Sequence, residues 1–287
     1  MKKIRMYGAA LVAVLWLALS VFAWVKPAGD ISEAERRPLQ QFPALSGQTL
    51  LNGKFMTEFE DYTLDQFPAR DSFRQLKSLF HYYVLGQKDN NDIFIHDGYA
   101  AKLEYPLNET SVSSAMEKFD SLYETYLAGT NCNIFASIVP DKGLYLAEAN
   151  GYPAMDYNTL FSTVASSMDW AQFVDVSDLL AVSDYYRTDT HWRQERLHDV
   201  AKRICEAMGV SGFAAEELTQ TAVERPFYGV YYGQIALPVA GEDMYVLRSD
   251  VLDNCLVSYD GAEAVKGVYD WDRSKVELVD KGNGKYE

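Results

Sequence analysis

An uninterrupted apolar run dominates the start of the chain. Residues 6–25 carry no charged side chain, and they follow a basic stretch that contains Lys2, Lys3 and Arg5. About 20 apolar residues in a helix match the ~30 Å hydrocarbon core of a bilayer. The basic residues are expected to stay in the cytoplasm, so the chain after Lys26 is predicted to lie outside it. A signal-peptide core is shorter, about 7–15 residues, so the pattern favours an uncleaved anchor over a cleaved signal peptide.

Residues 27–107 combine a proline-containing arm with short helical and alternating patterns. The prolines predict an extended stalk over residues 27–50. Apolar residues at helical spacing predict helices between residues 53 and 86. The turn Asp97-Gly98 predicts a hairpin. Its two strands are predicted at Ile93–Ile95 and Ala101–Tyr105.

From residue 108 onward, helical and strand-like patterns alternate. The predicted elements are a helix over Thr110–Leu127, a strand over Asn133–Val139, a helix over Tyr157–Met168, a strand over Phe173–Val176 and a helix over Trp192–Met208. The apolar face of the first helix is predicted to hold Met116, Phe119, Leu122, Tyr123 and Tyr126. This alternation predicts an α/β fold in which helices cover a mostly parallel sheet. We therefore expect three regions: an anchor or signal peptide at 1–26, a stalk and wrapping region at 27–107, and an α/β domain at 108–287.

The chain of 287 residues is acidic as a whole, with a formal net charge of −15. Because an acidic body repels nucleic-acid phosphates, we exclude nucleic acid as a partner. The three cysteines, Cys132, Cys205 and Cys255, lie far apart and form no CxxC pair, so we expect no metal site. The odd count leaves at least one thiol free, and one disulfide remains open. We expect all three cysteines to be small buried residues.

The candidate chemistry lies in the segment Tyr186-Arg187-Thr188-Asp189-Thr190-His191-Trp192. An Asp and a His two residues apart on a bend can project into one cleft. The carboxylate then accepts a hydrogen bond from one imidazole nitrogen, which fixes the tautomer and leaves the other nitrogen to take a proton from a hydroxyl. A serine hydroxyl needs such a base because it is a weak nucleophile by itself.

Asp-x-His spacing alone more often marks a structural hydrogen bond or a surface pair. The other three histidines are His81, His96 and His198, and none is placed by the sequence beside His191. A metal site built on Asp189 and His191 would need a third ligand, and neither a second histidine in an H-x-x-x-H pair nor a cysteine supports one. Trp192 is interpreted as a packing anchor for a helix that opens at this segment.

The Tyr-Arg-Thr-Asp-Thr-His-Trp stretch resembles the signature of the alginate O-acetyltransferase family and the related DHHW proteins, with Thr190 at the second position of the DHHW motif. Further segments resemble the family in the same order along residues 33–235. They are Glu35-Arg36-Arg37 with Phe42-Pro43, Asn52-Gly53-Lys54-Phe55, Asp65-Gln66-Phe67-Pro68-Ala69-Arg70-Asp71, Pro140-Asp141-Lys142 and Phe227-Tyr228-Gly229. The resemblance implies an SGNH-hydrolase-like three-layer α/β/α domain with no cofactor.

In that family the motif Asp and His complete a triad with a serine that lies further along the chain. The resemblance thus implies that Asp189 orients the imidazole and His191 is the base. The serines after His191 are Ser211, Ser249, Ser258 and Ser274, and none follows a hydrophobic strand in an Asp-Ser turn. Ser258 comes nearest to that pattern. We therefore expect this sequence to be a C-terminally incomplete version of the family, without the nucleophile, its oxyanion donors and the last strands.

Three functions remain open from the sequence. The first is transfer of acetyl groups to an extracytoplasmic cell-envelope polysaccharide, with a membrane partner supplying the acetyl group. The second is an SGNH-type esterase, in which water accepts the acyl group; the acceptor depends on the shape of the groove and on water exclusion. The third is a non-catalytic module that binds an envelope glycan or protein.

Overall fold

The computed structural model of the chain describes residues 2–32, 34–210, 218–258 and 265–266. The chain divides into two compact units. Of the described residues, the first unit holds those up to Gly86 together with Ala236–Pro238, and the second holds those of Gln87–Ile235 and of Val239–Ser274. Each unit is described by itself below.

The first unit is helical apart from one short strand pair. Its elements are α1 (Lys2–Val25), β1 (Ile31–Ser32), β2 (Arg37–Pro38), α2 (Gly47–Leu51), α3 (Lys54–Asp65) and α4 (Arg70–Leu79), which continues into a π-helical turn at Phe80–Val84. Strands β1 and β2 pair in antiparallel fashion. In the described part of the chain, α1 is the one helix long and apolar enough to cross a membrane, with a mean hydropathy of 2.3 and an exposed surface. This confirms the predicted N-terminal apolar helix.

Polar contacts hold the segment after α1 against the α3–α4 connection. The Gln66 side chain donates to the Gly29 carbonyl (2.9 Å) and accepts from the Gly29 N–H (2.8 Å). Arg37 forms a bidentate pair with Asp65, at 2.8 and 2.6 Å, and Arg70 pairs with Glu35 at 2.6 Å. Residues predicted as an extended stalk are therefore held by charged and amide side chains of the helices that follow.

The second unit mixes short strands with helices. Its strands are β3 (Asp89–Asn90), β4 (Ile93–His96), β5 (Tyr99–Lys102), β6 (Phe135–Ala136), β7 (Gln172–Phe173), β8 (Thr219–Ala222), β9 (Tyr245–Arg248), β10 (Leu256–Val257) and β11 (Val265–Lys266). Its helices are α5 (Glu109–Leu122, extended by a π-helical turn at Tyr123–Leu127), α6 (Gly143–Leu146), α7 (Tyr157–Ser167), α8 (His198–Ala207), α9 (Val230–Ile235) and α10 (Asp250–Asn254).

The strand pairing confirms a mixed α/β fold. Strands β6 and β7 pair in parallel, with Phe135 opposite Gln172 and Ala136 opposite Phe173. The other pairs among the described strands (β3–β4, β4–β5, β8–β9 and β10–β11) are antiparallel. The three-layer arrangement around a mostly parallel sheet stays a prediction, as do the region boundaries at 26 and 107.

Local signals place several helices and the hairpin where the sequence predicts them. Asn108 caps α5 by accepting from the Ser111 N–H at 2.9 Å, and Asp156 caps α7 by accepting from the Thr159 N–H at 2.9 Å. Side chains of this kind satisfy N–H groups that have no partner inside the helix. Asp97 and Gly98 both adopt positive φ angles, 48° and 81°, in the turn between β4 and β5.

The predicted helix over Trp192–Met208 is wrong at its start. Helix α8 begins at His198, after a 3₁₀ turn at Gln194–Arg196. Trp192 forms an antiparallel bridge with Tyr185, and the Arg193 N–H donates to the Asp184 carbonyl at 2.7 Å. These hydrogen bonds between neighbouring extended segments of the chain keep the backbone extended, so the helix begins only after the last of them. Trp192 packs against the core cluster that contains Tyr185 and Val200, as a packing anchor should.

Other predictions needed correction in detail. Three strands differ from their predicted bounds: Asn133–Val139 is shortened to β6 (Phe135–Ala136), and Phe173–Val176 and Ala101–Tyr105 begin earlier, as β7 (Gln172–Phe173) and β5 (Tyr99–Lys102). On α5 and its π-helical turn, Met116 is buried, but Phe119, Leu122 and Tyr126 are 47%, 52% and 71% exposed. Periodicity identifies an apolar stripe but does not reveal how much of it a neighbouring element covers. All three cysteines are free, and the prediction that they are buried is wrong: Cys132 is exposed, and Cys205 and Cys255 are half-buried.

Candidate functional site

A hairpin-like turn in the second unit carries the candidate site. Its stem is closed by the Tyr185–Trp192 bridge and by the hydrogen bond from the Tyr186 N–H to the His191 carbonyl at 3.1 Å. Tyr185 is 1% exposed, and its hydroxyl donates to the Pro140 carbonyl at 2.5 Å. The buried stem therefore anchors the turn that carries Asp189 to the loop that follows β6.

Asp189 and His191 meet at the tip of this turn. The Asp189 Oδ1 atom lies 2.5 Å from His191 Nδ1 and also accepts from the His191 backbone N–H at 3.0 Å. The carboxylate is buried, with 3% of its side chain exposed, whereas 74% of the imidazole is exposed. Because an ionised carboxylate only accepts hydrogen bonds, Nδ1 carries the proton. The other nitrogen, Nε2, is left as a proton acceptor when the ring is neutral.

The charge of Asp189 is maintained inside the protein by hydrogen-bond donors. Burial by itself would raise the pKa of this carboxyl group. The backbone N–H groups of His191 and Val230, and then the imidazole, favour the ionised form and bring the pKa below its ordinary value. The Val230 N–H donates to Oδ2 at 2.9 Å, so both carboxylate oxygens are occupied. Asp189 is thus an anion at neutral pH, placed to stabilise an imidazolium.

The segment that begins α9 packs directly on the turn. The Gly229 N–H donates to Thr188 Oγ1 at 2.8 Å, and the Tyr231 N–H donates to the Thr188 carbonyl at 2.9 Å. A Cβ atom at Gly229 would lie 2.3 Å from the Thr188 carbonyl oxygen and 2.4 Å from Asp189 Cβ. Only glycine allows this approach, which brings the Val230 N–H to the carboxylate.

A buried carboxylate, Glu242, holds the backbone just before the pair. Its Oε1 atom accepts from the N–H groups of Arg187 at 2.6 Å and Thr188 at 3.4 Å. Its Oε2 atom lies 3.4 Å from Arg193 Nη1, and Arg193 Nε donates to Glu195 at 2.7 Å. Burial raises the pKa of Glu242 above its ordinary value, although these N–H groups and Arg193 oppose the shift.

A buried lysine holds the same segment through its carbonyl groups. Lys142 is 2% exposed, and its Nζ atom donates to the carbonyls of Tyr186 at 2.8 Å and Arg187 at 3.0 Å. The amine also lies 5.3 Å from the centre of the Tyr231 ring. Burial lowers the pKa of Lys142 to about 7, although nearby carboxylates, chiefly Asp189 and Glu242, oppose the shift.

The structure brings together the two predicted site residues, Asp189 and His191. Among the described residues, Asp189 is the one side chain that hydrogen-bonds to the His191 ring. Ser249 caps α10 by accepting from the Leu252 N–H at 3.2 Å, and Ser258 is exposed after β10. The remaining candidates, Ser211 and Ser274, lie outside the described residues.

The other histidines lie apart from the pair in sequence and environment. His96 pairs with Asp97 at 3.5 Å, His81 lies in the π-helical turn after α4, and His198 is the first residue of α8. Across the part of the chain that the structure describes, no group of three His, Cys, Asp or Glu side chains is arranged to hold a metal ion.

Sequence reasoning identified Asp189 and His191 but assigned no role to the residues that hold them. Lys142 and Gly229 belong to segments that resemble the family, so a signal for them was present. Glu242 and Val230 carried no sequence signal, because Glu242 is 53 residues from Asp189 and Val230 contributes only its backbone.

No family model and no curated protein matches this sequence. Several solved structures are similar to part of it, among them the following three. A DHHW family protein from Eubacterium siraeum is 20% identical, with 54% of this chain and 53% of that chain covered and a TM-score of 0.42. Bacillus cereus PatB1 is 15% identical (55% and 59% covered, TM-score 0.43), and PatB1 with a sulfonyl adduct is 13% identical (55% and 56% covered, TM-score 0.43). A DHHW family protein is thus among the structures that this chain resembles. The chain spans little more than half the length of these structures.

Proposed function

We propose that Asp189 is the orienting carboxylate and His191 the general base of a serine-dependent O-acetyltransferase that acts on a cell-envelope polysaccharide. The observation that carries this proposal is the 2.5 Å contact between a buried, ionised Asp189 and Nδ1 of a solvent-facing His191. This arrangement leaves Nε2 free to accept a proton. The polysaccharide acceptor follows from the sequence resemblance to alginate O-acetyltransferases.

The reaction has two half-reactions, and in each of them His191 takes up one proton and releases it again. In the first, Nε2 takes the proton of the serine hydroxyl while its oxygen attacks the acetyl carbonyl, and the imidazolium then protonates the departing group of the donor. In the second, Nε2 takes the proton of a polysaccharide hydroxyl that attacks the acetyl-serine, and the serine recovers its proton. Asp189 remains ionised throughout and stabilises the imidazolium.

The proposed location is outside the cytoplasm, at the membrane. Helix α1 is long and apolar enough to span a bilayer, and the basic residues at its start favour a cytoplasmic N-terminus. Because acetyl-CoA is not expected in that compartment, a membrane partner would supply the acetyl group. We also propose that the second unit belongs to an SGNH-like three-layer domain, of which β6 and β7 form part of the parallel sheet.

Hydrolysis is the second candidate, and one observation favours it. The His191 imidazole is 74% exposed, so water reaches Nε2 in the described structure. Water would then compete with a polysaccharide hydroxyl for the acetyl-serine, and the result would be an esterase.

A non-catalytic binding module is the third candidate. It is favoured because, within the described ranges, no serine hydroxyl hydrogen-bonds to His191. In that case Asp189 and His191 would only stabilise the turn, and their replacement would change binding of a glycan or protein without changing any turnover.

Acetyl transfer by the full-length gene product tests these alternatives. The protein is supplied with a chromogenic acetyl ester, with and without a soluble envelope oligosaccharide, and the products are identified by mass spectrometry. An acetylated oligosaccharide supports the transferase, and free acetate alone supports the esterase.

Three variants assign the activity to the pair. His191→Ala and Asp189→Asn are expected to lower the turnover rate by about 10³–10⁴-fold, since each removes a member of the unit. His96→Ala, a change at another partly exposed histidine, should leave it unchanged. Absence of wild-type turnover, or full activity in His191→Ala, would refute the proposal.

A further inference from the structure

The backbone of residues 186–188 is held by two buried side chains, one of which binds N–H groups while the other binds carbonyl groups. The N–H groups of Arg187 and Thr188 donate to Glu242, and the carbonyls of Tyr186 and Arg187 accept from Lys142. The Arg187 carbonyl also accepts from the Ala100 N–H at 2.7 Å. The segment therefore has little freedom, and the direction in which the chain enters Asp189 follows from it.

The loop that carries Lys142 is itself fixed. Asp141 Oδ1 accepts from the Gly143 N–H at 2.5 Å and from the Tyr157 hydroxyl at 2.9 Å. A Cβ atom at residue 143 would lie 2.6 Å from both of these oxygen atoms. The absence of a side chain at Gly143 thus lets the loop close around Asp141. This closure fixes the backbone from which the lysine side chain extends.

We propose that Lys142 is a positioning residue that sets the hydrogen bond between Asp189 and His191 by holding the carbonyls of Tyr186 and Arg187. This inference rests on the proposed function of the pair. The hydrogen bonds of the lysine go to the backbone and not to the imidazole or the Asp189 carboxylate, and its charge additionally favours the ionised form of Asp189. Its cost of burial is offset by two carbonyl contacts, the Tyr231 ring and the nearby carboxylates.

The strength of this hold comes from the chemistry of the amine. A neutral amine has two N–H donors, enough for both carbonyls, and an ammonium has three; the hydrogen bonds of the charged form are the stronger ones. Without the amine, the Tyr186 carbonyl loses its donor, and no water replaces it because the site of the Lys142 side chain is 2% exposed; the Arg187 carbonyl keeps the Ala100 N–H. Removal of the amine should therefore displace the backbone of residues 186–187. A shift of about 1 Å can cost about 100-fold in rate.

The imidazole Nδ1 proton reports the geometry directly. In the full chain, labelled with ¹⁵N-histidine, this proton should give a low-field ¹H resonance that disappears in His191→Ala. We expect Lys142→Met, which keeps the length of the side chain without its donors, to broaden that resonance beyond detection or to speed its exchange with water at least tenfold. Lys202→Met, a change at an exposed lysine of α8, should leave the resonance as it is in the wild type.

Thermal unfolding of the same variants separates positioning from support of the fold. A folded Lys142→Met protein with an unchanged resonance would overturn the proposal, whether or not its Tm falls. If Lys142→Met does not fold, Lys142→Gln is used, because its shorter amide reaches at most one of the two carbonyls. An unchanged resonance in that folded variant would overturn the proposal equally.

The outcome can be read independently of the proposed function. The resonance depends on the hydrogen bond of the pair and requires no acyl transfer. If the wild-type protein turns over an acetyl ester, Lys142→Met should lower kcat by about 10–100-fold with little change in KM. If no turnover occurs but the resonance is lost in Lys142→Met, the proposed function fails and the positioning role of Lys142 stands.

Discussion

Two carboxylates, one in each unit, have similar partners and opposite pKa shifts. Asp65 accepts from Arg37, at 2.8 and 2.6 Å, and from the Gln40 N–H at 2.9 Å. Glu242 accepts from two backbone N–H groups and lies 3.4 Å from Arg193. The Arg37 guanidinium lowers the pKa of Asp65, whereas burial raises the pKa of Glu242.

The difference shows that burial decides the direction of the pKa shift where no arginine binds the carboxylate closely. Asp65 has a bidentate arginine whose side chain is itself 40% exposed, so the pair keeps contact with water. The arginine that faces Glu242 is turned toward Glu195 through its Nε atom, at 2.7 Å. Glu242 thus contributes mainly by holding the backbone before Asp189, and Asp65 contributes an ordinary ion pair to the first unit.

Truncation of the two carboxylates should separate them most clearly. Glu242→Ala leaves the N–H groups of Arg187 and Thr188 buried without an acceptor, and we expect a loss of about 3 kcal/mol in local stability. Asp65→Ala releases an arginine that water can solvate, with an expected loss of about 1 kcal/mol. Hydrogen exchange of peptides from residues 184–195 and 34–86 measures each effect. Equal losses in the two variants would contradict the comparison.

The pH dependence of stability should have opposite signs in the two regions. The folded pKa of Asp65 is lowered, so its contribution is present above the unfolded pKa near 3.8 and is lost as pH falls. The folded pKa of Glu242 is raised, so its contribution is fully present below the unfolded pKa near 4.5 and is lost as pH rises through the folded pKa.

Neutral variants test these signs by urea unfolding between pH 3 and pH 7. The stability difference between wild type and Asp65→Asn should shrink as pH falls toward 3. Relative to Glu242→Gln, the wild-type protein should gain stability as pH falls from 7 toward 4.5. Parallel pH profiles for the two pairs would show that burial does not dominate at Glu242.

Salt should produce the smallest difference. Raising the ionic strength from about 0.1 to 1 M shortens the screening length from about 10 to 3 Å. The cost of Asp65→Ala should therefore fall by a few tenths of a kcal/mol, since exposed pairs are screened. The cost of Glu242→Ala should stay constant, because backbone N–H groups in a buried site are not screened. A larger salt effect at Glu242 than at Asp65 would show that the partners of Glu242 are accessible to water, and would contradict this prediction.

The features that could be predicted from the sequence are those set by interactions between residues close together in the chain. Local patterns identified α1, α5, α7 and the Asp97-Gly98 hairpin, since caps, turns and apolar runs act over a few residues. The family resemblance, and not the two-residue spacing alone, pointed to Asp189 and His191; the structure brings them into contact, and their catalytic role stays a prediction. Helix α8 was predicted six residues too early. The hydrogen bonds in the stem of the turn, from Arg193 to Asp184 and from Tyr186 to His191, keep that backbone extended.

The residues that hold the pair could not be predicted from local patterns, because they are far from it in the sequence. Lys142 is 44 residues from Tyr186, and Glu242 is 55 residues from Arg187. No local pattern connects such positions, because the fold alone brings them together. Their burial was equally unforeseen, since charged side chains are buried only where the structure supplies partners.

The central claim is that His191 activates a serine hydroxyl. The rate of covalent labelling of the full-length gene product by a serine-reactive fluorophosphonate tests this claim without a choice of donor or acceptor. We expect labelling of a single serine in the wild type and in His96→Ala, and a rate at least about 10³-fold lower in His191→Ala. Equal labelling of the wild type and His191→Ala, or no labelling of the wild type, would contradict it.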